Sequence, residues 1–415
     1  MAQLGQLSQF LDSQERIERI ENGILPAVFS GLLAAPGQRY IQAAEPMAGK
    51  SHVFARLALL GTSWAQASWL ELQAGGFLPG RAYHGGAWSS QADGFYVFGG
   101  WDGSHGGRLG DLRLYERQAN RWQQLSPSGF APAAREGHTA VWSPSDDGLY
   151  IFGGNGVSGQ AYGLYLYKRE ANQWLQLSPG GSAPDRHLHA AAWSPAADGF
   201  YVFGGYGYNS LSGGLSRLND LHLYDRQANR WQLLSPSGSP PSARTWHAAA
   251  WSPAADGLYV FGGQGFDATM TVGRLNDLYL YERQADRWLQ VSPSGSPPSA
   301  RDGHAMVWSP AADGLFIFGG DGGSGPLSDL HLYERQADRW LQLSPSGAPS
   351  GRWGHVASLS PRDALYVFGG YNGSTGGVLS DLYVYEYEAL SRGTRGWKIE
   401  IGHVLVLGLF LVLAR

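Results

Sequence analysis

Arginine and histidine stand three residues apart at six places in this chain: Arg81/His84, Arg135/His138, Arg186/His189, Arg244/His247, Arg301/His304 and Arg352/His355. Imidazoles ligate metals and move protons, and guanidiniums bind carboxylates and phosphates, so the set could do chemistry. Its spacing argues otherwise. Successive arginines lie 54, 51, 58, 57 and 51 residues apart, the interval of a structural repeat. Six equivalent imidazoles around one axis are too widely spread to share an ion at bond lengths of about 2.0–2.1 Å. The twelve residues are therefore expected to form a structural ring. In it the histidines meet backbone groups of the neighbouring unit and the arginines donate between units. No metal and no cofactor is expected.

Composition narrows the chemistry further. Among 415 residues there is no cysteine, which excludes disulfides, thiolate nucleophiles and cysteine-ligated metals. Charged residues are only 15% of the chain, whereas Gly reaches 60, Tyr 21 and Trp 16. Such a balance suits an all-β protein with many tight turns. The net charge of −4 comes without any run of Lys or Arg, so no footprint for nucleic acid is present.

The elements that hold the ring recur in a fixed order. A small-residue strand such as His247–Trp251 leads into a Ser-Pro-Ala-Ala-Asp-Gly turn at Ser252–Gly257. An Asp-Gly pair suits a hairpin that needs positive φ. An apolar strand then ends in a double glycine, Gly262-Gly263, with equivalents at Gly99/Gly100, Gly153/Gly154, Gly204/Gly205, Gly319/Gly320 and Gly369/Gly370. After a loop of variable length come an alternating strand, Asp277–Tyr281, and a last strand starting at Trp288. Tyr and Trp stand seven residues apart in five units, from Tyr115/Trp122 to Tyr333/Trp340.

Hydrophobic strand, double glycine and spaced Tyr and Trp together resemble the kelch repeat, over residues 69–387. The resemblance implies an all-β, six-bladed propeller with four antiparallel strands per blade. The sixth unit lacks its own Trp at the expected spacing, and Trp69–Arg81 matches Trp122–Arg135. An N-terminal strand should thus complete the last blade in a 3+1 closure; the rival is a strand at Trp397. The expected domains are an N-terminal extension over 1–67, the propeller over 68–387, and a linker with a short apolar tail over 388–415.

Strand order sends two loop classes to each face. On one face the turns recur almost unchanged. On the other they differ in length and chemistry, and loops on a rigid scaffold are where binding concentrates. The candidates there are Trp101, Asp102, Tyr206, Tyr208, Phe266, Asp321 and Tyr371, together with Tyr83, Glu136, His187, Trp246, Asp302 and Trp353 between each Arg and His. Exposed aromatics suit a protein or glycan ligand; the plain alternative is loops free to drift. Enzymatic relatives of this architecture are a further alternative. A galactose-oxidase-like copper site needs a Tyr–Cys link, which a chain without Cys cannot form. A mutarotase-like site would use Arg, Glu and His, and Glu136 and His187 stand near the mouth without a motif that singles them out. No tight carboxylate/His cluster for iron stands out, and the carboxylates of the Arg-Gln-Ala-Asp turns read as solvated. The function expected is binding without catalysis, by a monomer.

The termini carry separate signals. Residues 47–67 place Lys50 and Arg56 before Leu57–Leu60 and a small-x-small site at Ala65–Ala67, a pattern like a secretory signal. Val404–Ala414 is an apolar run that, as a helix, reaches roughly 17 Å against about 30 Å for a bilayer core. It reads as part of a membrane helix, a lipid-anchor signal or an extra strand. Asn372-Gly-Ser374 is a glycosylation sequon. Jointly these predict a tethered ectodomain at the cell surface or in the secretory pathway. The alternative is a cytoplasmic scaffold, although no F-box, BTB or BACK partner domain is recognisable.

Overall fold

A computed structural model describes residues 68–387, apart from 162, 182–184, 210–212, 267–270 and 374–376. The signal-like stretch, Trp397, the apolar run and Ser374 of the sequon lie outside the described residues. Among the described residues no helix is long and apolar enough to cross a membrane.

Each of the six blades is built on four antiparallel strands, and short added pairings extend four of them. Blade 1 runs Gly85–Ser89, Gly94–Trp101, Arg108–Glu116 and Arg121–Leu125, from the innermost strand outward. Blade 6 takes Val356–Leu359, Ala364–Phe368 and Leu382–Glu386 from the C-terminal side and Trp69–Leu72 from the N-terminal side. Trp69 pairs with Tyr385 in register, as Trp122 does with Tyr115. The seven-residue interval is thus the return distance of a hairpin that brings Tyr and Trp opposite each other. The Trp397 segment is not needed for closure.

Local chemistry explains each turn. Asp93, Asp147, Asp198, Asp256 and Asp313 take φ of 45–46° in the first hairpin of their blades, a region that Asp tolerates better than most residues. Each is then held by an arginine from the second hairpin, as Arg283 holds Asp256 at 2.7 Å. Carboxylates and amides of the Arg-Gln-Ala-Asp/Asn turns, expected to be merely solvated, accept the hydroxyl of the preceding Tyr. Examples are Tyr281 to Asp286 at 3.0 Å and Tyr115 to Asn120 at 2.9 Å. They close the turn on itself.

Between blades, packing is aromatic. Tyr201 stacks on Trp251 of the next blade with centroids 5.3 Å apart and planes 2° from parallel. At the junction of blades 5 and 6 both partners change together: Phe316 replaces Tyr and Leu359 replaces Trp, and Tyr387 packs edge-on against Phe316 at 5.3 Å. The double glycine is the other node. A Cβ on Gly99 would come within 2.8 Å of the Arg135 carbonyl oxygen of the next blade, and one on Gly100 within 2.8 Å of His84 Cβ in its own. Around the perimeter, the segment leaving each outer strand adds a short parallel pairing to the outer strand of the next blade. Examples are Ser237–Gly238 against Arg287–Trp288 and Ser294–Gly295 against Arg339–Trp340.

The repeated arginines act differently from expectation. Their side chains work within their own blade. Arg244 is fully buried and donates to the Gly262 carbonyl at 3.0 Å and, in a fork, to both oxygens of Asp277 at 2.7 and 2.8 Å. Asp111, Asp220, Asp329 and Asp381 serve Arg81, Arg186, Arg301 and Arg352 in the same way. What crosses the blade boundary is the arginine's backbone carbonyl, which accepts from the second glycine of the preceding blade, as Arg301 does from Gly263 at 2.9 Å. Blade 2 is the exception. Gly163 occupies the Asp position, and Arg135 instead donates to three carbonyls, those of Ala133, Gly153 and Ala161, and lies over the Tyr165 ring at 5.1 Å.

The six histidines are buried, and each rests edge-on against a phenylalanine of the preceding blade. His247 Nε2 lies 3.1 Å from the Phe203 carbonyl. A carbonyl only accepts, so this nitrogen carries the proton. Burial beside the arginines pushes His138, His247 and His355 down to about 3, and the rings are neutral. Among the described residues no three His, Cys, Asp or Glu side chains group to hold a metal ion.

Candidate functional site

Immediately after each arginine, the backbone makes a short antiparallel contact with the residue that follows the double glycine. The six pairs are Ala82/Trp101, Glu136/Asn155, His187/Tyr206, Thr245/Gln264, Asp302/Asp321 and Trp353/Tyr371. The next residue along has positive φ in every blade: Tyr83, Gly137, Leu188, Trp246, Gly303 and Gly354, at 57–63°. Each donates its N–H to the carbonyl of its counterpart in the preceding blade, over 2.7–3.1 Å, and Tyr83 closes the circuit by donating to Gly354.

This circle closes the mouth of the channel. Tyr83 and Trp246 approach across it with centroids 4.8 Å apart. A Cβ on Gly354 would lie 2.4 Å from the Tyr83 ring, and one on Gly137 2.7 Å from Leu188 Cδ2, so the glycines make room for the large residues. Below is a cavity of about 140 Å³, lined by the six histidines.

Chemistry on the rim is unevenly divided. Across blades 6 and 1 the rings form a chain: Trp353 to Tyr371 at 5.2 Å, Tyr371 to Trp101 at 6.0 Å, and Trp101 to Tyr83 at 6.3 Å. Their indole donors are used internally, Trp353 Nε1 by the Tyr83 hydroxyl at 2.7 Å and Trp101 Nε1 by the Ser104 carbonyl at 2.6 Å. The ring faces are what remains for a partner. On the other blades the rim is polar and tied across blade boundaries. Arg108 meets Glu136 at 2.8 Å, Arg217 donates to Gln264 at 2.7 Å, and Arg274 reaches Asp302 at 3.0 Å and Asp321 at 2.6 Å.

Those arginines were not among the residues the sequence singled out. They open the x-Leu-x-Asp segment of the third strand, where blades 5 and 6 have Pro326 and Val378 instead. A cation faces the Glu136/Asn155, Thr245/Gln264 and Asp302/Asp321 pairs, and an apolar residue precedes each aromatic one; before His187/Tyr206 the position is Gln160. Burial raises Asp302 to about 6, against the pull of Arg274 and with Asp321 adding to the rise. Burial likewise raises the Tyr83 hydroxyl, and the fields of Glu136 and Asp302 add to it.

Of the sequence candidates, Tyr83, Trp101, Trp246, Trp353 and Tyr371 come together. Glu136, His187, Tyr206, Asp302 and Asp321 complete the polar arc. Asp102 is occupied in its own loop, accepting from the backbone and hydroxyl of Ser104 at 2.9 and 2.6 Å. Tyr208 and Phe266 stand apart from the mouth cluster. They sit near the ends of two long hairpins, Gly199–Asn209 with Gly214–Asp225 and Gly257–Phe266 with Val272–Glu282, paired with Leu215 and Val272.

The opposite mouth, on the face whose turns barely vary, has a cavity of about 460 Å³ lined in part by Trp88, Trp142, Trp193 and Trp308. These are the penultimate residues of the innermost strands.

Known proteins share this frame. The family described as KLHDC2/KLHL20/DRC7 Kelch-repeats domain matches residues 87–253 and 198–392. A leucine-zipper-like transcriptional regulator 1 homolog of Drosophila melanogaster is 31% identical over 67% of this chain and 28% of its own length. Kelch domain-containing protein 2 of Bos taurus is 27% identical over 63% of this chain and 67% of its own. A Rab9 effector protein with kelch motifs from Xenopus laevis is 32% identical over 50% and 56%. The chain thus spans from about a quarter to two thirds of these relatives. With six closed blades and a matching domain description over most of its length, the chain belongs to the kelch-repeat family.

Proposed function

We propose that this propeller is a non-catalytic protein-binding module whose partner sits on the capped mouth, anchored by the aromatic arc of blades 6 and 1. The observation that carries the reading is the arc itself: four adjoining rings, half-buried, with their indole donors already satisfied. Aromatic anchors on a rigid floor dominate binding energy in protein interfaces. The Xenopus relative is named as an effector of Rab9, which supports a protein as the ligand class.

The test is quantitative affinity capture with the full chain against a Trp101→Ala/Tyr371→Ala double variant of unchanged melting temperature. Proteins bound by the parent should fall at least about tenfold in the variant, the scale of one lost anchor. Equal capture by both would reject the aromatic arc as the site.

A further inference from the structure

The charges beside the aromatic arc do not balance. Among the described residues, the rim of blades 5, 6, 1 and 2 carries four carboxylates, Asp302, Asp321, Asp102 and Glu136, faced by two guanidiniums, Arg274 from blade 4 and Arg108. The deficit is sharpest at blade 5, where one guanidinium serves two carboxylates. Asp321 is well supplied: it takes Arg274 Nη2 at 2.6 Å and the Gly323 N–H at 2.8 Å. Asp302 is not. Its side chain is only 14% exposed, and Arg274 Nε stands 3.0 Å away without the alignment of a hydrogen bond. Among the described residues no donor completes the carboxylate. The Asp302/Asp321 pair also adjoins the rings, since a Cβ on Gly303 would lie 3.2 Å from Trp353 Cβ.

Three ligand chemistries can be weighed against this. An acidic group would add repulsion to an existing negative excess. An apolar group would cover Asp302 and leave an ionised oxygen unsatisfied, a costly outcome. A cation gains twice, from the negative faces of the rings and from the carboxylate.

Resting on the reading of this face as the binding site, we propose that the partner is a protein segment presenting an arginine or lysine, whose stem lies on Trp353 and Tyr371 and whose charge closes on Asp302. Pro326 and Val378, where the polar arc has arginines, leave that approach free of a competing cation.

The test selects a displayed library of random twelve-residue peptides on the full chain. Enriched peptides should share a basic residue at one position. Replacing it by citrulline, a neutral shape mimic of arginine, should weaken binding about tenfold, or 1.4 kcal/mol. The same replacement should cost little on Asp302→Asn, whose own melting temperature checks its fold. Peptides that lack a basic residue yet lose binding on Trp353→Ala would overturn the cation while leaving the face in place. Peptides indifferent to both Trp353→Ala and Asp302→Asn, or no enrichment at all, would overturn the cation and the face together.

Discussion

Two concentric sets of residues recur in all six blades and have met opposite fates. The inner set, Arg and His of each repeat, is the same in every blade. The outer set, the pairs just beyond the arginine and the double glycine, differs in every blade: Ala/Trp, Glu/Asn, His/Tyr, Thr/Gln, Asp/Asp and Trp/Tyr. The outer set stands at the rim, and the histidines of the inner set line the cavity beneath it. What separates most of them is solvent: apart from Ala82 and Thr245, the outer set is partly exposed. A buried guanidinium must find its partner in a fixed place, because an orphan charge costs several kcal/mol, and each buried imidazole is fixed edge-on against a phenylalanine of the preceding blade. A backbone pairing at the rim holds whatever the side chain, so its chemistry is free to vary.

The largest effect expected from the inner set is acid unfolding. The histidines are held neutral well below their ordinary value. A depressed base contributes stability above about pH 6.5 that is lost as pH falls toward the folded-state value. Unfolding near pH 5 should take up close to six protons, measured from the slope of stability against pH; uptake near zero would break the picture of buried neutral rings. Next in size, Asp277→Asn should cost about 3–5 kcal/mol in denaturant unfolding, because Arg244 stays buried without its counter-ion. Blade 2 sharpens this: Arg135→Met removes a buried cation with no carboxylate partner and should cost far less than Asp277→Asn.

The outer set should behave the other way. Trp101→Ala/Tyr371→Ala should shift the melting temperature by no more than a few degrees, about 1 kcal/mol in a domain of this size, while abolishing capture of partners. At Asp302 the sign is opposite to that of the histidines. Its folded-state value is raised to about 6, so the stability it lends is present below about pH 4 and lost as pH rises through 6, at most about 3 kcal/mol. Asp302→Asn should flatten that component of the pH profile. Binding of a cationic peptide should strengthen over the same rise, as the carboxylate ionises.

The propeller was legible because its signals are short and repeated. Gly99-Gly100 and Tyr115/Trp122 each lie within a single hairpin, and Trp69–Arg81 shows the closure by matching Trp122–Arg135. Partnerships between distant segments were not. Asp277 meets Arg244 from 33 residues away, and nothing local marks it as the partner, so the arginines read as bridges between blades. Arg108, Arg217 and Arg274 were missed because each acts on a pair in the next blade. Tyr208 and Phe266 were grouped with the mouth because loop length does not tell that strands continue into rising hairpins. The tryptophan-lined opposite mouth was overlooked for another reason: sameness of turns says nothing about the shape they surround.

The six amides that cap the channel have no first or last member. Each gives to one neighbour and takes from the other, so no blade can lean outward without breaking two links together. Small, independent fluctuations are suppressed, and the six N–H groups should exchange with solvent at a common, slow rate. An incoming protein therefore meets a floor that needs no rearrangement, and the entropy of ordering that surface was already spent when the circle closed.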